Sequence, residues 1–430
     1  MRGDGADWLS PGEALRRIVG GVRPLEAEAR PLLAALGSVL AEDVVSPVDL
    51  PPWDNSAMDG FAARAEDVRG ATRERPAVLR VVDDIPAGGF PARALGPGEA
   101  ARIMTGAPVP AGADCVVRVE HTDGGTAIGS AEARVAIHSA ADAGKNVRPC
   151  GEDVRVGQTV LRAGTVLRAP ELAVAAAVGR ATLEVHRRPV VAIVTSGDEL
   201  VDVDGFGQVR AGRKIVSSNS YALAAQLAES GMEARVLGIA RDTRESLREM
   251  VEAARGCDAL VTSAGISVGE HDHVRAVMDE LRTRVEFWRV KIKPGSALAF
   301  GHVDGLGGIP WFGLPGNPVS TMVTFELFVR PALLRMCGRT RIYAPPLDAV
   351  LRDAVSARGE LVHVPRLRLE TGDGETYASL TGAQGSGIAT SMAAADALGL
   401  IAAGAELRPG DRIRALHLGG APLTEEPYFG

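Results

Sequence analysis

Apolar spacing divides the chain into stretches of different texture. Ser10-Pro11-Gly12-Glu13 has the form of a capping box with proline at the first helical position, and Leu15, Ile18 and Val19 continue it as one stripe. A short amphipathic helix is predicted to open the chain. From Pro47 to about Gly164, short β-type runs such as 77–82 and 115–119 are split by Gly/Pro turns, which predicts a small β-rich module. Residues 170–179 predict a helix, and the stretch from there to Pro189 a linker. Between Pro189 and Gly338, strand-length apolar runs (190–195, 234–239, 259–263) alternate with helical stripes (220–229, 242–254, 272–281, and one after Pro318). That alternation predicts a parallel sheet with helices on both faces. After Pro345, short strands at 361–369, 377–380 and 411–416 with glycine-rich turns predict a small β-barrel or sandwich.

The expected fold class is multidomain α/β plus β. It comprises a helical and linker domain (1–46 with 165–188), the β-rich module (47–164), the α/β domain (189–338) and a C-terminal β-barrel domain (339–430). A chain of 430 residues is too long for one ordinary core, so several domains are expected on length alone. A hydrophobic share of 46% with 51 Gly and 26 Pro suits a globular protein rich in turns. A net charge of −7 and an aromatic share of 4% argue against nucleic acid and anionic membrane as partners, so an anionic ligand must be held by local groups. The N-terminal residues contain no apolar signal region, and the apolar run around 172–178 is far short of a bilayer span, so a cytoplasmic protein is expected. Cys115, Cys150, Cys257 and Cys337 are widely separated and form no C-x-x-C pair, which predicts reduced thiols rather than a zinc or iron–sulfur site.

In an open parallel sheet, ligands bind beyond the carboxyl ends of the strands, so the loops after the predicted strands are the first candidates. The run 190–195 leads into Asp198 and Glu199: Asp198 reads as a turn residue, whereas Glu199 could hold a cation or orient a hydroxyl. The run 259–263 leads into a loop with Ser263, Gly265, Ser267 and Gly269. Small residues there let backbone N–H groups approach a phosphate, and Asp272 stands at the following helix start as an N-cap or a metal ligand. A phosphate with carboxylates beside it points to a bridging Mg²⁺. Asp242 opens Asp-Thr-Arg-Glu, a spacing equally compatible with capping and metal binding. Arg289, Lys291 and Lys293 alternate onto one face of a predicted strand, which is either an exposed edge or an oxyanion site. Pro315, Gly316 and Asn317 form a rigid turn that aims free N–H groups into the crevice just before a helix. Outside the sheet, 51–60 and 102–110 are dense in turn formers and polar groups, a make-up more typical of functional loops than of plain connections.

Together these stretches resemble the MoeA family, which includes the E domain of gephyrin. The resemblance is carried by DNSAMDG (54–60), IMTGAPVP (103–110), GEDV (151–154), TSGDEL (195–200), SAGISVGEHD (263–272), IKPG (292–295) and GLPGNPVS (313–320), in the family's order and over nearly the whole chain. It implies an elongated homodimer with four domains per subunit, one of them MogA/MoaB-like. It also implies an active site in a cleft between that domain and the β-rich module, with contributions from the partner subunit. The implied reaction joins molybdate to adenylyl-molybdopterin, releasing AMP, with Mg²⁺ as cofactor. The family's functional acids fall on Asp59, Glu199, Asp242 and Asp272, and its threonine on Thr105. Its cationic strand falls on Arg289 and Lys293, followed by Pro294, and its terminal oxyanion site on Arg366 and Ser386 together with Lys293. The resemblance further suggests a MogA-like adenylyltransferase as partner.

Two positions depart from the family pattern. Pro294-Gly295-Ser296 stands where the family usually has Pro-Gly-Lys, and Ala264-Gly265 where it has Gly-Gly, the latter adding one methyl. These changes bear on oxyanion affinity and on the choice between molybdate and tungstate. Two other functions compete: a molybdopterin adenylyltransferase, which would need only the α/β domain, and a pterin-binding scaffold without turnover.

Overall fold

A computed structural model of the chain describes residues 8–126, 132–265 and 273–419. The chain divides into two units, one of Met1–Ala41, Gly164–Arg168 and Thr182–Gly430, the other of Glu42–Ala163 and Ala169–Ala181.

In the first unit, helix Pro11–Gly20 buries Ala14, Ile18 and Val19, and the Ser10 hydroxyl accepts from the Glu13 N–H at 3.2 Å. Only this half of the capping box forms, because the Glu13 carboxylate turns to Arg16 and Arg17 instead. The stretch read as a linker contains a strand, Thr182–His186, antiparallel to Ala27–Pro31. Its buried Leu183 and Val185 alternate with more exposed neighbours, a two-residue signal too short to stand out.

The central sheet has six strands in the order Glu233–Ala240, Val190–Ser196, Ala259–Ser263, Ile309–Leu314, Ala299–Val303, Thr283–Phe287. The first four run parallel; the last two pair antiparallel, so the sheet is mixed where a parallel one is predicted. The physical reason is connection length. Only the short turn Asp304–Leu306 with Gly307 and Gly308 separates Ala299–Val303 from Ile309–Leu314, and a parallel return needs a crossover of a dozen or more residues. Helices cover both faces, as alternation along the strands requires. Val191 and Ile193 pack with Leu223, Leu227, Val319 and Val323 on one side. Ala192 and Val194 pack with Leu247, Val251, Val274 and Val277 on the other.

The C-terminal strands Pro346–Leu351, Glu375–Leu380, Arg366–Gly372, Ala397–Leu400 and Arg412–His417 close into a five-stranded barrel, as expected. Ile292–Lys293 pairs in parallel with Val362–His363, and Val364 and Leu398 join the same apolar core as Ile292 and Phe328, so barrel and sheet are packed together.

The second unit is built on a five-stranded sheet of Cys115–Arg118, Gly60–Ala63, Glu99–Ile103, Ala77–Ile85 and Arg134–Ile137. Phe61, Val117, Val135 and Ile137 fill one face, and Ile85, Ile103 and Val116 the other. Asp142, fully buried, accepts from Arg118, whose guanidinium lies 3.0 Å away, and contacts His121 Nδ1 at 2.8 Å. No helix among the described residues is long and apolar enough to cross a membrane.

Candidate active site

In the first unit the loops at the carboxyl ends of the parallel strands enclose a cavity of about 720 Å³. Its wall includes Glu199, Ser263, Gly265, Pro315, Gly316 and Asn317, six residues named from the sequence. Strand geometry brings them together, because Val190–Ser196, Ala259–Ser263 and Ile309–Leu314 are neighbours that end at the same edge. Gly265 has φ +70, and a Cβ there would lie 2.5 Å from Val274 Cγ2, so this loop position requires glycine. Ala264 holds φ +80 with a side chain, so the added methyl sits in the left-handed region that alanine disfavours by about 1–2 kcal/mol. Ser267, Gly269 and Asp272 lie outside the described residues.

Sequence reasoning missed the group that ties these loops. Asn219 Nδ2 donates to Ser263 Oγ at 2.9 Å and to the Gly316 carbonyl at 2.7 Å. Ser263 Oγ and Thr321 Oγ1 both donate to the Pro315 carbonyl, at 3.1 and 2.6 Å. The available signal was Ser217-Ser218-Asn219 at the start of helix Ser218–Glu229, a polar cluster ahead of a helical stripe.

Asp242 and Asp198 stand at the ends of adjacent strands and brace each other. The Asp198 N–H donates to Asp242 Oδ2 at 3.0 Å, and the Asp242 N–H to Asp198 Oδ1 at 3.3 Å. The structure decides the capping question at Asp242: the N-cap of helix Arg244–Glu252 is Thr243, whose hydroxyl accepts from the Ser246 N–H. Asp242 therefore does not cap that helix, and its carboxylate engages the Asp198 N–H instead. Among the described residues, no three His, Cys, Asp or Glu side chains cluster as a metal-ligand set. The carboxylates of Asp242 and Glu199 are both exposed and are hard oxygen donors, the kind of atom Mg²⁺ takes.

The three cations expected on one strand face separate. Burial does alternate along the run, with Val290 and Ile292 buried, but the backbone is not one continuous strand, and only Ile292–Lys293 forms a ladder. Arg289 stacks on Trp8 at 5.1 Å, and Lys291 pairs with Glu360 at 2.8 Å. Among the described residues Lys293 has no carboxylate partner, and its carbonyl accepts from the Val364 N–H at 2.8 Å. Pro294 is buried beside it.

From the barrel, Arg366 is fully buried without a carboxylate partner. Its Nε donates to Ser391 Oγ at 3.1 Å and its Nη2 to the Gly385 carbonyl at 3.1 Å, while Nη1 has no partner among the described residues. Burial lowers its pKa. The adjoining Ser386 Oγ accepts from Asn317 Nδ2 at 3.0 Å, which links the barrel site to the cavity wall. Burial also pushes the His363 imidazole below its ordinary value; the Ser356 carbonyl opposes the shift, and Lys293 and Arg366 add to it, marking an electropositive corner.

In the second unit, Asp59 Oδ1 accepts from both the Thr105 N–H and the Thr105 hydroxyl, each at 2.7 Å. The hydroxyl and then the N–H hold the Asp59 carboxyl below its ordinary range, and the side chain is exposed.

Residues 9–179 match the family model described as MoeA N-terminal region (domain I and II). Residues 192–335 match the probable molybdopterin binding domain, and 348–418 the MoeA C-terminal region (domain IV). The chain is 41% identical over 337 residues to molybdopterin molybdenumtransferase 2 of Mycobacterium tuberculosis, covering 77% of this chain and 80% of that one. It is 39% identical over 321 residues to the molybdopterin molybdenumtransferase of a Nostoc species, covering 74% and 72%. A solved molybdopterin biosynthesis MoeA protein from Pyrococcus horikoshii superposes with a TM-score of 0.80 at 32% identity, covering 96% of this chain and 100% of that one. The chain therefore belongs to the MoeA family of molybdopterin molybdenumtransferases.

Proposed function

We propose that this chain acts as its family does: it is an enzyme of molybdenum cofactor biosynthesis that inserts molybdenum into molybdopterin. In finer terms, its substrates are molybdate and adenylyl-molybdopterin, and AMP is released. The observation that carries this reading is Arg366, a buried guanidinium whose Nη1 has no partner among the described residues. Its barrel neighbour Ser386 is bonded to Asn317 on the wall of a cavity large enough for a nucleotide. A buried cation without a counter-charge is unfavourable until an anion arrives, so an oxyanion is the ligand that best satisfies it.

The roles follow from placement. Arg366, Lys293 and Ser386 hold molybdate. Ser263, Gly265 and the Pro315-Gly316-Asn317 turn offer hydroxyl and backbone donors to the phosphate and pterin parts of the substrate. Glu199 and Asp242, with Asp272, would hold Mg²⁺; in the second unit, Asp59, fixed by Thr105, is the remaining acid that the family resemblance assigns to catalysis. Bound Mg²⁺ would neutralise charge on the phosphoanhydride as AMP leaves. A homodimer, a cytoplasmic setting and a MogA-like adenylyltransferase supplying the adenylylated pterin complete the reading.

The test is AMP release from adenylyl-molybdopterin by the purified protein with Mg²⁺, with and without molybdate. Molybdate-dependent release is expected, and Arg366→Ala should raise the molybdate requirement by ten-fold or more, in line with about 1.5–3 kcal/mol for a hydrogen bond to a charged group. Tight pterin-nucleotide binding without AMP at any molybdate concentration would sink the enzyme reading in favour of a scaffold, a reading to which Ser296 in place of the family lysine gives some weight.

A further inference from the structure

The second unit carries an aromatic pair for which its core has no use. Trp53 and Phe90 meet edge to face, with centroids 5.1 Å apart and planes at 71°. They are 37% and 66% exposed, so both present ring surface to solvent. Both are held by pinned loops. Next to Trp53, Asp54 Oδ1 accepts from the Cys150 N–H at 2.7 Å, and the Asp54 carbonyl from the Val109 N–H at 2.9 Å. Close to Phe90, the Ala92 N–H donates to Asp83 Oδ2 at 2.8 Å. The Trp53 indole N–H points at the Gly106 carbonyl, 3.5 Å away, and Gly106 follows Thr105, the donor to Asp59. A rigid aromatic corner therefore adjoins the Asp59–Thr105 pair. Two rings at a steep angle can take a planar ligand, with one ring stacking on it and the other meeting its edge.

We propose that Trp53 and Phe90 form a stacking corner for a planar heteroaromatic ring of the molybdopterin nucleotide and set its position relative to Asp59 and Thr105. The proposal rests on the functional reading above, whose substrate carries two such rings, the pterin and the adenine. Both offer the same π-face, and the experiment separates them.

The full-length protein is titrated with AMP alone and with a 6-substituted pterin alone while tryptophan emission is followed, and Trp53→Phe identifies the responding indole. Quenching by one of the two, lost in Trp53→Phe, is expected and names the ring; no Trp53-dependent quenching by either overturns the proposal. In steady-state turnover of adenylyl-molybdopterin, Trp53→Ala and Phe90→Ala should each raise KM about ten-fold with kcat little changed, from stacking worth about 1–3 kcal/mol per ring, and Trp53→Phe should restore most of the loss. If Trp53→Ala folds poorly, Phe90→Ala at the more exposed position carries the test. Asp59→Asn runs alongside. Unchanged KM in the alanine variants with kcat lost in Asp59→Asn rejects the corner and leaves the functional reading standing. Full activity of Asp59→Asn rejects the reading of the Asp59 site itself, and the corner with it. A change of oligomeric mass in Phe90→Ala would make the pair a self-association contact and overturn the proposal.

Discussion

A single methyl group gives the sharpest forecast. Ala264 sits at φ +80 in the loop after Ala259–Ser263, where glycine carries no steric penalty, and its Cβ lies 3.3 Å from where a side chain on Gly316 would begin. Replacing Ala264 by glycine should stabilise the protein by roughly 1 kcal/mol, the strain relieved less the entropy glycine loses on folding, and thermal unfolding would show the rise. The same residues show what a sequence can reveal. Glu199, Ser263, Gly265, Pro315, Gly316 and Asn317 were legible because a Ser/Gly/Asn loop directly after an apolar run declares both a strand end and an approachable backbone. Asn219 was not, because its importance lies in bonds to Ser263 and Gly316, 44 and 97 positions away, and no local periodicity encodes such bonds. Arg366 was named through the family resemblance alone, since no local pattern sets it apart in its strand; that its guanidinium is buried without a counter-charge is visible only in the fold.

At the level of elements, the turn at Ala140–Asp142 anchors the second unit through one buried acid. Burial alone would raise the Asp142 carboxyl, but the Arg118 side chain and N–H, Asn146 and His121 outweigh it and bring the pKa from 3.8 to about 2. Since the folded pKa is the lower one, the unfolded chain takes up the proton first. The stabilisation from Asp142 is therefore complete above about pH 4 and lost as pH falls from there towards about 2. Asp142→Asn should flatten that acid limb and cost about 1.5–3 kcal/mol at neutral pH through its weakened charge-assisted bonds to Arg118 and His121, as urea titrations across pH would report. Strand and helix alternation between 190 and 338 was legible because each face of the sheet repeats with period two. The antiparallel edge was not, since pairing direction depends on how much chain joins two strands rather than on their apolar pattern. Thr182–His186 escaped notice because only two buried positions mark it.

For the molecule as a whole, continuity in space does not follow continuity in sequence. Each unit is assembled from separate stretches of chain, and the helix Ala169–Ala177 belongs with residues 42–163 although five residues of the other unit intervene. Within the first unit, Leu398 pairs across from Arg366 and is buried in the core shared with Ile292 and Phe328. Leu398→Ala should cost about 3 kcal/mol in chemical denaturation. It should also weaken molybdate binding in an equilibrium titration, although Leu398 carries no polar atom to offer the ligand; unaltered affinity in the destabilised variant would show that barrel seating and oxyanion capture are independent. The seam formed by Lys293 with Val364 and by Asn317 with Ser386 has a further consequence in time. Synthesis proceeds from the amino end, so every cavity residue from the α/β domain leaves the ribosome before the barrel that brings Arg366. A chain not yet extended through the barrel would present the cavity loops without Arg366, so under the proposed roles the group assigned to the oxyanion is made after the loops assigned to the nucleotide.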